Sequence, residues 1–155
     1  MKHSLALTIL AALLAGLPAD AQQLDFGDHT SSVITGKAWA ALNSKNFPDA
    51  VAYAKKCVEL YEKQAIEMQK ELKEPVKGER EAVAKLWALN DVGTCLFISG
   101  QALEKQNKGT EALAAYKQLK EKVPFAQCWD PKGWFWKPAD AAKERIKALE
   151  FDTLK

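Results

Sequence analysis

The densest cluster of residues suited to recognition chemistry runs from Phe125 to Trp136. Five of its twelve positions are aromatic: Phe125, Trp129, Trp134, Phe135 and Trp136. Pro131 and Gly133 interrupt the run, so it reads as a loop, and its rings cannot all belong to one helical core stripe. Two uses compete. The loop can close the open apolar end of a helical array, as terminal elements do in solenoids. Alternatively, Trp129, Trp134 and Trp136 can form a stacking surface for a sugar ring or for a partner's apolar side chain, with Asp130 and Lys132 as polar contacts.

Other chemistry has less to work with. His29 is the only histidine beyond the N-terminal segment, no CxxC spacing occurs and no Gly-rich phosphate loop is present, so no metal or cofactor is expected. Glu59, Glu62, Glu67, Glu71, Glu79 and Glu81 alternate with lysines at helical spacing and read as solvated surface rather than as a catalytic pair. The expectation is a non-enzymatic protein. Cys57, Cys95 and Cys128 remain. An antiparallel hairpin turning near Val76 would set Cys57 and Cys95 at equal depth, and a chain returning after Lys122 would bring Cys128 toward Cys95. Cys57–Cys95 is therefore one candidate disulfide and Cys95–Cys128 the alternative, provided the compartment is oxidising, and three free buried thiols are the remaining reading.

The N-terminus supplies a compartment. Met1-Lys2-His3 is a short basic start, Ser4 to Leu17 is an uninterrupted apolar stretch, and Ala19-Asp20-Ala21 places small residues where a signal peptidase reads them. Residues 1–21 thus read as a cleaved signal peptide, and the mature chain, 22–155, as exported, periplasmic or secreted. The apolar stretch falls short of the roughly 20 residues a membrane span needs, and no later segment is apolar enough, so no integral membrane segment is expected after cleavage. The 22 Lys and Arg against 20 Asp and Glu give a net charge of +2, too weak a field for nucleic-acid binding.

The elements that would position these residues are helices. Val33 to Lys45 follows capping hydroxyls at Thr30, Ser31 and Ser32. Phe47, Val51, Ala54, Val58, Tyr61, Ala65, Met68 and Leu72 then recur at alternating spacings of four and three, which predicts one long helix. Glu74 to Gly78 breaks it. Ala82, Leu86, Leu89, Gly93, Leu96, Gly100 and Leu103 form a second seam, and its two glycines predict close backbone approach. Further helices are expected from Thr110 to about Lys122 and from Pro138 to 150. No segment shows the alternation of a half-buried strand, so the fold class is all-α.

Within this pattern, Leu96 to Tyr116 resembles a tetratricopeptide repeat through Gly100, Leu103, the Lys108-Gly109 turn, Ala112, Tyr116 and the closing Pro124. A weaker copy lies upstream in Ala38, Ala41, the Asn46-Phe47 turn, Ala50 and Ala54. Ala50 and Ala112 are 62 positions apart, one 34-residue repeat plus 28 residues, or four heptads. The resemblance implies a short helical-hairpin array. Its expected parts are a degenerate repeat at 31–64, helix extensions and a turn at 65–92, a repeat at 93–126, and a Trp-rich loop with a capping helix at 127–155. The extensions would lengthen the central hairpin so that it projects about 20 Å. The resemblance also implies protein–protein binding on the face of the first helix of each repeat. That face carries Trp39 and Asn43 in the first copy, and Thr94, Phe97, Gln101, Glu104 and Lys105 in the second. The family's basic and Asn pattern for clamping a C-terminal carboxylate is not matched. An unidentified protein partner and self-association through the long hairpin are both open, and a carbohydrate- or cell-wall-binding module built on residues 125–136 is the alternative.

Overall fold

A computed structural model describes residues 24–77 and 80–152. The expected signal peptide and the Gly78 end of the central turn lie outside the described residues. The chain is mainly α-helical: α1 (Ser31–Asn43), α2 (Phe47–Lys70), α3 (Arg80–Ala84), α4 (Trp87–Lys105), α5 (Gly109–Lys122) and α6 (Pro138–Asp152), with strands β1 (Cys128–Asp130) and β2 (Trp134–Trp136) between α5 and α6.

α4 is the centre of the molecule. Its sequence is apolar or small nearly all round, and every residue from Val92 to Gly100 is buried, including Thr94, Cys95, Phe97, Ile98 and Ser99 off the expected seam. A stretch without an exposed face must be surrounded, and α1, α2, α5 and α6 all pack against α4. The two glycines are where neighbours come closest. A Cβ on Gly93 would stand 2.2 Å from the Ala126 methyl, and one on Gly100 would stand 2.4 Å from the Tyr116 ring.

Two helix ends share one design. After α1, Lys45 takes a positive φ of 63°, Lys45 N donates to Leu42 O, and Asn46 N donates to Ala41 O. After α4, Asn107 takes a φ of 59°, Asn107 N donates to Glu104 O, and Lys108 N donates to Leu103 O. Both are Schellman endings with a left-handed residue just past the cap. They recur at the same offset of 62 positions that separates Ala50 from Ala112. In each unit the following helix starts two residues after the left-handed position, at Phe47 and Gly109.

Three expectations are corrected. The second seam is not one helix. α3 ends at Ala84 and α4 begins at Trp87, and the Val83 carbonyl that a continuous helix would give to the Trp87 amide instead accepts from Leu86 N and from Asn90 Nδ2 at 2.8 Å. Asn90 Oδ1 also accepts from Gln127 N, so one side chain holds both the break and the crossing chain. Second, the far part of α2 does not stand clear as a projecting arm. Glu62 Oε1 accepts from Gln118 and Lys122, Gln69 Oε1 accepts from Phe125 N, and Gln127 Nε2 reaches Val76 O.

Third, the Trp-rich segment is not a simple loop but a β-hairpin, pairing Cys128 with Trp136, Trp129 with Phe135 and Asp130 with Trp134. Gly133, at φ 107°, closes the turn by donating to Asp130 O. Three-residue strands are too short to reveal an alternating pattern in sequence. After the hairpin, α6 buries Ala139, Ala142 and Ile146 against α5 and α4. Arg145 on α6 reaches both oxygens of Glu104, whose Oε1 also accepts from the Tyr116 hydroxyl at 2.7 Å.

Candidate binding groove

α1 and α4 lie side by side, and each presents part of one face to solvent. On α4, Phe97, Gln101 and Lys105 recur every four residues, so they stack along one line of the helix. On α1, Trp39 and Asn43 do the same. Between them is a cavity of ≈ 680 Å³, lined by Trp39, Leu42, Asn43, Lys45, Phe47, Phe97, Gln101, Lys105 and Trp136. Trp136 arrives from β2, its ring centroid 5.2 Å from that of Phe97 in an edge-on contact. Phe97 in turn lies 5.9 Å from the fully buried Tyr116 ring, which anchors the floor to the core.

The structure thus brings together Trp39, Phe97, Gln101, Lys105 and Trp136. The sequence marks Phe47 only as a seam and turn residue, and nothing in it assigns Leu42, Lys45 or Phe47 to a binding face. Lys45 is the left-handed residue that ends α1, and Phe47 is the first residue of α2. Aromatic and aliphatic surfaces form the body of the cavity, the Asn43 and Gln101 amides can pair with a backbone, and Lys45 and Lys105 make the rim cationic. No carboxylate is among the described residues that line it.

Trp129 and Trp134 lie elsewhere. They are 36% and 50% exposed, but on opposite faces of the hairpin, because Trp129 pairs with Phe135 while Trp134 pairs with Asp130 one position further on. Trp129 packs edge-on against Phe135, with centroids 4.9 Å apart. Trp134 stands near the turn, with Lys132 Nζ 6.0 Å from its ring centroid. The three tryptophans therefore do not make one flat platform.

Cys57 and Cys95 are both buried, and the Thr35 hydroxyl lies 3.7 Å from the first sulfur and 3.2 Å from the second. Burial, with the adjacent Cys57 thiol, pushes the Cys95 thiol well above its ordinary range. Cys128 is partly exposed on β1, and burial is again the main cause that raises its thiol, with Thr94 acting in the opposite direction. All three are free thiols in the structure.

For acid–base chemistry the arrangement offers little. His29 is exposed and stacks on Phe26, while its backbone carbonyl accepts from the Tyr61 hydroxyl. Among the described residues no three His, Cys, Asp or Glu side chains gather as a metal-ligand set, and no helix is long and apolar enough to cross a membrane. In comparisons with known proteins, no family model, no curated protein and no solved structure matches the chain.

Proposed function

We propose that the chain is an exported, non-enzymatic helical-repeat protein that binds a segment of a partner protein in the groove between α1 and α4. The observation that carries this reading is the convergence of Trp39, Phe97, Gln101, Lys105 and Trp136 around one open cavity. Apolar walls with a few placed amides and cations suit a peptide segment that buries an apolar side chain and pairs its backbone at the rim. The repeat reading draws support from the two Schellman endings at the common offset, each followed by a helix that starts at the equivalent position.

Trp129 and Trp134 face opposite sides of the hairpin, so the carbohydrate alternative cannot use them as one stacking surface. A test follows from both readings. Random peptides displayed on phage and selected on the full mature protein should yield binders that protect Trp136 from oxidation. They should crosslink to a photoreactive group at Gln101 and not to one at Lys120, which is exposed on α5. Soluble oligosaccharides should neither quench tryptophan fluorescence nor protect Trp134. Sugar binding with no groove-directed peptide would reverse the assignment.

Export rests on the N-terminal pattern, and it makes the Cys57–Cys95 neighbourhood a candidate disulfide. The intact mass of protein recovered from the exported fraction should correspond to a chain that begins at Gln22 and is lighter by two hydrogens. A retained Met1 would remove the export reading, and a fully reduced mass would remove the pairing.

A further inference from the structure

A second cavity opens on the same face, toward the start of α4, with a volume of ≈ 420 Å³. Trp39, Trp87, Trp129 and Phe135 contribute aromatic walls, and Asp91 contributes a carboxylate. Trp39 is shared with the groove, whereas the other rings come from α4 and from the outer face of the hairpin. Asp91 Oδ2 accepts the Ser31 hydroxyl at 2.5 Å. Burial raises the carboxyl above its ordinary value and the Ser31 bond only partly opposes that, with no cation contributing. The nearest basic side chain in the lining, Arg80, is used otherwise: its guanidinium carbon lies 4.8 Å from the Trp129 ring centroid. No ion pair to Asp91 exists among the described residues.

A part-buried carboxylate without an ion-pair partner, in a cavity also lined by four aromatic side chains, is an arrangement that an anionic ligand would worsen and an organic cation would complete. Arg80 lies over Trp129, so one of the four rings already carries a cation contact. We propose that this cavity is a binding site for an alkylammonium group, supplied either as a lysine side chain of a partner segment or as a free small amine. The carboxylate supplies the opposite charge in a partly desolvated setting, where it acts more strongly than in water. The aromatic side chains supply quadrupole attraction and apolar contact for the alkyl groups. The site does not depend on peptide binding in the neighbouring groove, because Asp91, Trp87, Trp129 and Phe135 line only this cavity.

The test uses the purified mature protein and tryptophan fluorescence. Tetramethylammonium and n-butylammonium chlorides are titrated against their uncharged counterparts, tert-butanol and n-butanol, with sodium chloride as the salt control. Saturable ammonium binding at least tenfold tighter than that of the alcohols is expected. Asp91→Asn, which keeps the side-chain size and an acceptor for Ser31, should weaken it at least tenfold. Trp129→Ala should weaken it similarly, while Trp134→Ala, outside the cavity, should not. Equal binding of salts and alcohols, or full binding by folded Asp91→Asn, would overturn the proposal. If Asp91→Asn does not fold, the ammonium-over-alcohol preference and the contrast between Trp129→Ala and Trp134→Ala decide it. A capped lysine pentapeptide separates the two sources. Tighter binding than n-butylammonium identifies a partner's side chain, and equal binding identifies a small amine.

Discussion

Replacing Gly93 by alanine is expected to lower stability by about 2 kcal/mol, although alanine is the better helix former by about 1 kcal/mol. The new methyl would lie 2.2 Å from the Ala126 Cβ, a stub with no rotamer to change. Ala126 cannot retreat easily. It is fully buried, and the residues on either side are held, Phe125 N by Gln69 Oε1 and Gln127 N by Asn90 Oδ1. The clash must therefore move either α4 or the whole 125–127 crossing. For a domain of this size the loss corresponds to a drop in Tm on the order of 5–10 °C.

The double variant Gly93→Ala with Ala126→Gly removes the opposing methyl and should recover at least half of the loss. Thermal melts of the four proteins in the cycle measure the coupling directly. Equal Tm for wild type and Gly93→Ala, or no recovery in the double variant, would show that the approach is looser than the structure has it. Gly100 faces the same constraint from the Tyr116 ring, which is pinned by its bond to Glu104.

The largest functional effect is expected at Trp39. It lines both the groove and the Asp91 cavity, so it sits at the middle of the α1–α4 face. Central aromatic anchors dominate binding energies, and truncating one commonly costs about 2 kcal/mol or more, roughly 30-fold in Kd. Trp39→Ala should weaken groove-selected peptides by at least that factor. The fold should survive, because α1 keeps Ile34, Ala38 and Ala41 in the core. Trp134→Ala, at the exposed hairpin turn, should leave affinity within about twofold, well below the scale of an anchor. Isothermal titration alongside far-ultraviolet circular dichroism reads both quantities. Parallel losses in the two variants would move the binding surface from the groove to the hairpin.

Much of this architecture is written in local pattern. The three-and-four spacing from Phe47 to Leu72 places a helix there because burial of one stripe requires it, and Pro48 and Asn46 mark its start. Gly93 and Gly100 announced close contact, since a glycine in a helix interior is costly unless something fills the missing space. Ala139, Ala142 and Ile146 forecast the buried face of the last helix in the same way. That Phe97, Gln101 and Lys105 share one side of α4 follows from their spacing of four, whereas the choice of that side came from the repeat resemblance, whose Thr94 and Glu104 do not line the groove.

What the local pattern could not reach depends on contacts between distant segments. The break between α3 and α4 exists because Asn90 can satisfy Val83 O and Gln127 N at once, and Gln127 is 37 residues away. The central hairpin does not project, because the chain after Lys122 crosses it and pairs with Gln69 and Val76. The hairpin at 128–136 sends Trp136 inward to Phe97 and Trp129 to another cavity, a division set by strand register rather than by composition. Asp91 carries no distinguishing local signal in the sequence, and only the packing of α1 and the hairpin around it makes it a partly buried carboxylate that shares a cavity with aromatic rings. Side-chain type and spacing are one-dimensional and decide which face of an element is apolar. Which two faces meet, and what is enclosed between them, follows from long-range closure and belongs to the tertiary structure alone.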